Sequence, residues 1–373
     1  MGDLKYLTKL EQIKQLGAEE LNALSLVEDK YVFRTNTYYN ALIDWTDPND
    51  PLKKLSLPNL EELEDWGKLD YANESSFVVV PNLLHKYQAT GTLFVNNVCG
   101  SICRYCYRKH FFMEGNDDVT NDVSEALEYI SSHKEITNVN ITGGDPFLMS
   151  ARKMERYLIP LYEMEHLNEI SFCTRLVAYN PFRIIEDSAL HNLLARCNTK
   201  SKRITIQLHF CHPREITEEA KEAVFTLVKC GCNLWNHTPI LQGVNSDPKV
   251  LAELINRLGR LSVPMKYLYI LYPTDGNKLF SLPLEESLAV FLKAKGLEKG
   301  GLNNRTVRLI ISDEILGDVE VLGKIDNNIY FKFHRPQFFA NEGRVFFFKS
   351  NPQAIWISDY KEFGEFSNQT TGE

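Results

Sequence analysis

The feature of the sequence that most constrains its fold is an alternation of short β-rich runs with helical segments between about residues 92 and 273. Amphipathic segments such as ITEEAKEAVFTLVKCG separate the runs, and DPKVLAELINRLGR begins with Asp247-Pro248, an N-cap followed by proline at the first helical position. This alternation predicts right-handed βαβ units and an α/β fold with a parallel sheet. The six predicted strands are TLFVNNV (92–98), TNVNITGG (137–144), EISFCTR (169–175), RITIQLHF (203–210), CNLWNHTPIL (232–241) and MKYLYILYP (265–273).

The segments on either side of this alternation have a different character. Residues 1–90 contain helical patterns, LTKLEQIKQLG and GAEELNALSLVEDKYVF, and a turn-rich stretch, DWTDPNDP. Residues 305–373 predict a small, mostly β appendage, with the runs VRLIIS, GDVEVLGKIDNNIYFKF, GRVFFFK and AIWISD and a hairpin turn at Asp-Asn-Asn. We therefore divide the chain into a helical N-terminal region (1–90), a central α/β part (91–304) and the appendage (305–373), whose aromatic strands are a candidate homo-oligomer interface.

Composition and charge exclude several classes of protein. The net charge of −8 argues against a nucleic-acid binder. The N-terminal sequence MGDLKYLTKLEQIKQLG lacks an apolar core, so we expect no signal peptide, and no apolar run approaches the roughly 18 residues of a membrane span. The eight cysteines form no evenly spaced disulfide framework, which predicts a cytoplasmic, reducing location.

Three cysteines stand close together directly after the first β run. Cys99, Cys103 and Cys106 form a C-x3-C-x2-C pattern, a spacing that is rare by chance and predicts a metal centre. One alternative is structural zinc, with His110 as the fourth ligand of a Cys3His site. The other is an iron–sulfur cube held by three thiolates, which leaves one iron free to bind another molecule. The spacing alone leaves both alternatives open.

A second motif, NITGGDPF, ends the second predicted strand. Gly143 and Gly144 allow the backbone to approach a ligand closely, and Asp145 offers a carboxylate to an ammonium group. Together, C-x3-C-x2-C after the first strand and GGDP after the second resemble the radical S-adenosylmethionine (SAM) superfamily. The resemblance implies a partial (β/α)6 TIM-type barrel over residues 91–304, for which the sequence supplies six strand candidates.

A narrower resemblance extends from about residue 40 to about residue 312. The segments CRYCYRKH, ITGGDPFLMS, CTRLVAYNPFRI, LHFCHPREIT and NHTPILQGVN occur in the order and at the spacing of the lysine 2,3-aminomutase family. This resemblance implies that Cys99, Cys103 and Cys106 hold a [4Fe–4S] cluster and that SAM chelates its open iron. It also implies reductive cleavage of SAM to a 5′-deoxyadenosyl radical, with a flavodoxin or ferredoxin as electron donor.

The resemblance also implies the residues that contact SAM. Gly143, Gly144 and Asp145 correspond to the motif that binds the amino group of SAM, and His209 matches a family histidine near its ribose. The alternative for His209 is a buried histidine of the barrel. Asn236-His237 stands where the family usually has Asn-Gln, so we expect the adenosine contact there to be altered.

Arginines beside the cluster are the candidates for substrate binding. Arg104 and Arg108 match two family positions, and the one that matches Arg108 binds the carboxylate of the amino-acid substrate, a task that suits a bidentate guanidinium. Their alternative role is charge balance for an anionic cluster. Arg175 is a further candidate, although a strand-end arginine also pairs readily with a helix carboxylate. Asp313 fits the aspartate that follows the last barrel strand in the family.

The region after that strand departs from the family pattern. Lysine 2,3-aminomutases carry pyridoxal phosphate (PLP) on a lysine in a glycine-rich loop, and this sequence passes from SDE directly into the predicted hairpin. Lys324 is the nearby lysine, and the alternation of the strand places it on the hairpin. The sequence therefore predicts a radical SAM enzyme that abstracts hydrogen from a small carboxylate-bearing substrate, an amino acid by analogy, without an evident PLP site. The alternatives are a PLP-dependent 2,3-aminomutase that uses Lys324 and a zinc-stabilised, non-catalytic binding protein.

Overall fold

One mixed sheet of thirteen strands organises the chain in a computed structural model that describes residues 4–113, 119–120, 122–199, 202–299, 306–337, 341–361 and 363–365. A separate pair of two-residue strands lies in the N-terminal region. The strands of the described residues are Tyr6–Leu7 (β1), Thr35–Asn36 (β2), Val78–Val80 (β3), Leu83–Tyr87 (β4), Thr90–Phe94 (β5), Asn138–Thr142 (β6), Glu169–Thr174 (β7), Ile204–Leu208 (β8), Asn233–Pro239 (β9), Met265–Tyr269 (β10), Arg308–Asp313 (β11), Gly317–Ile325 (β12), Asn328–Arg335 (β13), Val345–Lys349 (β14) and Phe363–Glu365 (β15).

Helices connect most of the parallel strands and flank the sheet. The α-helices of the described residues are Ala18–Lys30 (α1), Thr37–Ala41 (α2), Pro51–Ser56 (α3), Ser124–Ser132 (α4), Ala151–Glu163 (α5), Leu176–Tyr179 (α6), Phe182–Ile185 (α7), Ser188–Arg196 (α8), Glu218–Lys229 (α9), Pro248–Arg260 (α10) and Leu284–Leu297 (α11). None of these described helices is both long enough and apolar enough to cross a membrane.

The strands β5 to β11 lie side by side in chain order, and each is parallel to the next. All six predicted strands are confirmed, and the α/β class with them. The structure adds a seventh parallel strand, β11, which pairs with β10 from Tyr267 opposite Arg308. Its sequence, VRLIIS, was predicted as part of the appendage, although helix α11 connects it to β10.

Helix α10 illustrates why these segments form helices against the sheet. The Asp247 side chain accepts a hydrogen bond from the Lys249 N–H, and Pro248 occupies the first helical position. The apolar residues then recur at helical spacing on one face and are fully buried: Leu251, Leu254, Ile255 and Leu258. The prediction for this helix is confirmed.

Antiparallel strands extend the sheet beyond the parallel series. The hairpin β12–β13 turns at Asp326 and Asn327, as predicted from Asp-Asn-Asn, and Asp326 has a φ of 52°. Two other predictions are wrong. AIWISD forms a 3-10 turn at Ile357–Asp359 because the Asp359 carboxylate accepts from the backbone N–H groups of residues 355 and 356. LTKLEQIKQLG contains only the 3-10 turn Leu10–Gln12, since its apolar residues repeat at intervals of three.

The sheet curls so that its two flanks meet. On β4, before the first parallel strand, Lys86 Nζ donates to the carbonyl oxygen of Asp313 at 2.7 Å, and Tyr87 OH donates to Asp318 Oδ1 at 3.1 Å. The Arg335 guanidinium from β13 lies 3.9 Å from the centre of the Tyr87 ring. These side chains join β4 to β11, β12 and β13.

The N-terminal region packs across the carboxyl ends of the parallel strands. Its buried side chains, including Leu52, Leu55 and Tyr39, share a cluster with Leu241 and Leu271, which follow β9 and β10. Functional residues of such sheets lie beyond the carboxyl ends of the strands. The N-terminal region therefore covers the edge of the sheet that the sequence motifs indicate.

Candidate radical SAM site

The three cysteines lie on one loop between β5 and the 3-10 turn Lys109–Phe112. Cys99, Cys103 and Cys106 are free thiols, and each is partly exposed. Backbone hydrogen bonds hold the loop against the N-terminal region: the N–H of Ile102 donates to the carbonyl of residue 34 at 2.9 Å, and the N–H of Arg104 to that of residue 55 at 3.0 Å. The loop is thus fixed from outside the sheet.

The two glycines of the GGD motif bring the end of β6 against the start of this loop. The N–H of Gly144 donates to the Asn96 carbonyl at 2.6 Å. A Cβ on Gly144 would lie 2.3 Å from the Val98 carbonyl oxygen, and one on Gly143, whose φ is +115°, would lie 2.5 Å from that of Asn96. Only glycine at these two positions allows the end of β6 to lie this close to the backbone that precedes Cys99.

The Asp145 carboxylate is engaged inside the protein. It accepts hydrogen bonds from Thr174 Oγ1 at 2.7 Å and from the backbone N–H of Arg175 at 2.8 Å. It also caps the short turn that follows, through the Phe147 N–H at 3.0 Å. Burial raises its pKa to about 6, against these hydrogen bonds. Asp145 therefore ties the end of β6 to the end of β7, and its contact with SAM stays a prediction.

Burial and mutual electrostatic effects raise the pKa values of two of the three thiols. Burial raises the pKa of Cys99 well above its usual value, and the charges of Asp145, Cys106 and Cys103 add to the effect. Burial is the largest cause that raises the pKa of Cys106, to about 12, and the charge of the Cys103 thiolate is the next largest. A metal centre must therefore displace thiol protons when it binds.

The two predicted centres, zinc and an iron–sulfur cube, place different demands on the three thiols. Among the described residues, no three His, Cys, Asp or Glu side chains are grouped to hold a single metal ion. Tetrahedral zinc requires sulfurs about 3.8 Å apart, given Zn–S bonds of about 2.3 Å. A cube tolerates wider spacing because each thiolate binds a different iron. The His110 ring packs on Phe111 with 4.6 Å between the ring centres.

Arg104 forms a buried ion pair with the N-terminal region. Its Nε and Nη2 donate to the two oxygens of Glu62 at 2.9 and 2.7 Å, and Arg104 is only 1% exposed. Lys109 Nζ donates to the same carboxylate at 3.2 Å. These contacts hold the cysteine loop in place, and a role of Arg104 in substrate binding stays a prediction.

Arg108 lies at the end of β6 and remains partly exposed. Its Nε and Nη2 donate to the two oxygens of Glu74 at 2.7 and 2.6 Å, and its Nη1 donates to Thr142 Oγ1 at 3.3 Å. Both partners of the ion pair are 14% exposed. Glu74 begins the 3-10 turn Glu74–Phe77. A carboxylate of the chain itself thus occupies the bidentate face of Arg108.

Arg175 pairs with a carboxylate, as the alternative for this residue predicted. Its Nη2 donates to Glu215 Oε1 at 2.5 Å, and Arg175 is 7% exposed. Its Nη1 contacts Tyr105 OH and lies 2.8 Å from Cys211 Sγ. Tyr105 belongs to the cysteine loop, so Arg175 links that loop to the turn Pro213–Glu215.

The two histidines of the SAM prediction lie together, since His209 directly follows β8 and His237 lies in the carboxyl-terminal half of β9. The centres of the His209 and His237 rings are 5.0 Å apart, and His209 Nε2 lies 3.0 Å from Tyr105 OH. His237 Nδ1 is buried and has no hydrogen-bond partner among the described residues. Asn236, by contrast, is fully buried and bridges the strands through the N–H and carbonyl of Phe210 at 2.8 and 3.1 Å.

A polar cluster on β6, β7 and β8 was missed from the sequence. Asn140 Oδ1 accepts from Ser171 Oγ at 3.1 Å and from Cys173 Sγ at 3.2 Å. Gln207 Nε2 donates to Ser171 Oγ at 2.9 Å. Strands covered on both faces are normally apolar throughout, so the alternation of polar residues in NVNIT and ISFCT was a usable signal of a functional inner face.

Asp313, the last residue of β11, and Lys324 lie at opposite ends of the sheet. Asp313 accepts from Trp356 Nε1 at 2.9 Å and from the Ile315 N–H at 2.9 Å, which closes the turn into β12. Lys324 donates to Glu285 Oε2 at 2.7 Å on α11. Because β12 runs antiparallel from Gly317 opposite Asp313, Lys324 lies at the end of the sheet away from the cysteine loop.

Cysteines after one parallel strand and the GGD motif after the next, held in contact at one edge of the sheet, define the site of a radical SAM enzyme. No family model matches the chain. A protein of Aquifex aeolicus named "Putative L-lysine 2,3-aminomutase" is 44% identical over 371 residues, 99% of this chain and 98% of that protein. L-lysine 2,3-aminomutase of Clostridium subterminale is 30% identical over 266 residues, 70% of this chain and 62% of that protein. Glutamate 2,3-aminomutase of Clostridioides difficile is 29% identical over 293 residues, 78% of this chain and 68% of that protein.

The chain belongs to the lysine 2,3-aminomutase family of radical SAM enzymes. It is therefore an enzyme of the aminomutase type, a family that uses SAM and a [4Fe–4S] cluster. This finding excludes the zinc-stabilised binding protein.

Proposed function

We propose that this enzyme binds a [4Fe–4S] cluster through Cys99, Cys103 and Cys106 and begins its reaction by removing a hydrogen atom from an amino acid. When bound, the cluster would supply the electron for cleavage of SAM to methionine and the 5′-deoxyadenosyl radical that abstracts the hydrogen. The observation that carries the proposal is the set of three free thiols on one loop that the glycines of β6 hold at the edge of the sheet. An electron donor such as a flavodoxin or ferredoxin is implied.

We infer that the curled sheet is a partial barrel of the TIM type. The parallel order of β5 to β11 and the side-chain contacts from β4 to β11 and β12 support this inference. The interior would then be lined by the polar cluster of Asn140 and its partners, and the N-terminal region would cover its mouth. Such a cover excludes water from a reactive radical.

We propose that His209 and His237 face the adenosine of SAM. His209 directly follows β8, His237 lies within β9, and the centres of their rings are 5.0 Å apart. The Nδ1 of His237, which has no hydrogen-bond partner among the described residues, offers a hydrogen bond to a ligand. The backbone of Gly143 and Gly144, rather than the engaged carboxylate of Asp145, would approach the amino group of SAM.

We propose that Arg108 binds the substrate carboxylate by exchange with Glu74. The bidentate ion pair between them shows the geometry that a substrate carboxylate would adopt. Glu74→Gln removes the competing charge, so the KM of the amino acid that supports turnover should fall about threefold to tenfold. Arg108→Lys should raise that KM, and an unchanged KM in both variants would contradict the assignment.

The side chain of the substrate is proposed to be uncharged. Relatives named for lysine and for glutamate act on side chains of opposite charge, so family membership does not set this property. Asn140, Ser171, Cys173 and Gln207 present only neutral polar groups on the inner face of the sheet. Such groups favour a neutral side chain, because a charge there would lose its hydration without a counter-ion.

Lys324 does not fit a PLP site. It lies at the opposite end of the sheet and is held by Glu285 and by Ser350 Oγ at 2.6 Å. A PLP-dependent reaction through this lysine would require the purified enzyme to show the visible absorbance of a Schiff base and to lose it with borohydride. We expect neither, and Lys324→Ala should retain full activity.

The proposal is tested by anaerobic reconstitution with iron and sulfide, followed by incubation with SAM, dithionite and a panel of amino acids. We expect a brown protein with about four irons per chain and release of 5′-deoxyadenosine that increases with one member of the panel. Alanine at Cys99, Cys103 or Cys106 should abolish both, and Cys230→Ala should change neither. A colourless wild-type protein, or unchanged nucleoside release in the three variants, would overturn the proposal.

A further inference from the structure

A tyrosine hydroxyl points at one of the three cysteine sulfurs. Tyr179 OH lies 3.3 Å from Cys103 Sγ, a hydrogen-bonding distance for oxygen and sulfur. Tyr179 ends helix α6, directly after β7, and is 1% exposed. Within the part of the chain that the structure describes, Cys103 is the hydrogen-bond partner of this hydroxyl. The residue therefore reaches the cysteine loop from a different element of the fold.

The position of the hydroxyl is fixed by packing on its ring and by its backbone. The Tyr39 ring meets the Tyr179 ring edge to face, with 4.5 Å between centres, and the Arg175 guanidinium lies 4.6 Å from the ring centre. Asn36 Nδ2 donates to the carbonyl of Tyr179 at 2.8 Å and to that of Gly100 at 3.3 Å. One side chain thus ties the backbone of Tyr179 to the cysteine loop.

Hydrogen bonds to the sulfurs of an iron–sulfur cluster raise its reduction potential, because reduction adds negative charge that a donor stabilises. A phenol donates to a thiolate and cannot be displaced by water at a site this buried. The guanidinium over the ring face makes the hydroxyl a stronger donor, since it draws electron density from the ring. Tyr179 is therefore suited to act on the cluster through Cys103.

We propose that Tyr179 is a positioning residue that donates a hydrogen bond to the Cys103 thiolate and raises the reduction potential of the cluster. The proposal rests on the proposed function, in which Cys103 is a cluster ligand. It adds a residue that tunes how readily the cluster accepts the electron that starts the reaction.

The test is an anaerobic redox titration of the reconstituted protein, followed by electron paramagnetic resonance of the reduced cluster. Tyr179→Phe keeps the ring and removes the hydroxyl, so the ratio of reduced to oxidised cluster at a fixed potential should fall about threefold to tenfold. For one electron, this corresponds to a midpoint about 30 to 60 mV lower. The matched control is Tyr39→Phe, which removes a buried hydroxyl that donates to Glu215 at 2.7 Å rather than to a sulfur, and should leave the midpoint unchanged.

A second measurement detects the hydrogen bond directly and does not depend on the reduction potential. Resonance Raman spectra of the wild-type protein in H2O and D2O should differ in the iron–cysteinyl sulfur stretch, and this difference should shrink in Tyr179→Phe. Three results would overturn the inference and leave the proposed function intact. They are an unchanged midpoint potential in Tyr179→Phe, an equal shift of the midpoint in Tyr39→Phe, and an H2O/D2O difference that is as large in Tyr179→Phe as in the wild-type protein. A wild-type protein that binds no iron would overturn both.

Discussion

Glu62 is the residue on which the position of the cysteine loop most directly depends. Its fully buried carboxylate accepts from both Arg104 and Lys109. Removing one partner of a buried ion pair costs about 3–5 kcal/mol, because the remaining charge stays buried without compensation. By contrast, an exposed pair contributes about 0–1 kcal/mol.

We therefore expect Glu62→Ala to lower the melting temperature strongly and to reduce the iron that the protein retains after reconstitution. The control is Glu64→Ala, which breaks the exposed pair of Glu64 and Lys278, with side chains 47% and 48% exposed. Thermal unfolding and iron analysis of both variants give the comparison. Equal losses in the two variants would show that the loop does not depend on the buried pair.

His237 gives the stability of the protein a dependence on pH. Burial lowers its pKa from 6.5 to about 4, so the unfolded chain takes up the proton before the folded protein does. The contribution of His237 to the free energy of unfolding is fully present above pH 6.5 and is lost as the pH falls towards 4. When the pH is lowered from 7 to 5, the free energy of unfolding should fall by about 2 kcal/mol more in the wild-type protein than in His237→Gln, which has no titrating ring. Parallel plots of melting temperature against pH would contradict this expectation.

Pairs such as Arg104–Glu62 and Arg175–Glu215 explain why only part of the site could be predicted. The cysteines and the GGD motif are local patterns, so their positions at the ends of β5 and β6 followed from the sequence. The ion pairs join residues 42 and 40 positions apart in the chain and leave no periodic signal. Arg104 and Arg175 were therefore predicted as substrate ligands, although the fold supplies each with an internal carboxylate.

Among the elements of the fold, the end of β6 positions the cysteine loop through its glycines. A Cβ on Gly144 would meet backbone atoms of Val98 at 2.3 and 2.5 Å, which no rotation of a side chain relieves. Gly144→Ala should therefore displace the loop and lower the iron content, with a smaller effect on secondary structure. Gly296→Ala in α11, where nothing lies within 4 Å of the added Cβ, is the control. Circular dichroism and iron analysis separate the two effects.

The strands themselves were predictable because alternation is local. Five of the six predicted strands begin within one residue of the observed one, and the first begins two residues later than β5. The parallel role of β11 was missed because the helical segment LEESLAVFLKAKGL, which forms α11 between β10 and β11, was not counted in the alternation. The 3-10 turn at Ile357–Asp359 likewise depends on a single carboxylate, Asp359, rather than on a repeating pattern.

Across the whole molecule, the two flanks of the sheet are joined by side chains. Asp318 is central to this junction: it accepts from Tyr87 OH, from Ser312 Oγ at 2.6 Å and from Arg335 Nε at 2.9 Å. Asp318→Ala should destabilise the protein by about 1–3 kcal/mol, because it leaves the partly buried hydroxyls of Tyr87 and Ser312 without their acceptor. The measurement is the melting temperature of the metal-free protein. The control is Glu320→Ala, two residues further along the same strand, where the carboxylate lies 3.7 Å from Arg308 Nε. This variant should change the melting temperature little.

The contacts of the cysteine loop also fix its charge. Arg104, Lys109 and Arg108 are positive, and within the described part of the chain they form ion pairs with the carboxylates of Glu62 and Glu74. These five side chains carry a surplus of one positive charge. A cube with a dicationic core and three thiolates carries one negative charge. The surplus on these five side chains has the sign that offsets an anionic centre of this kind.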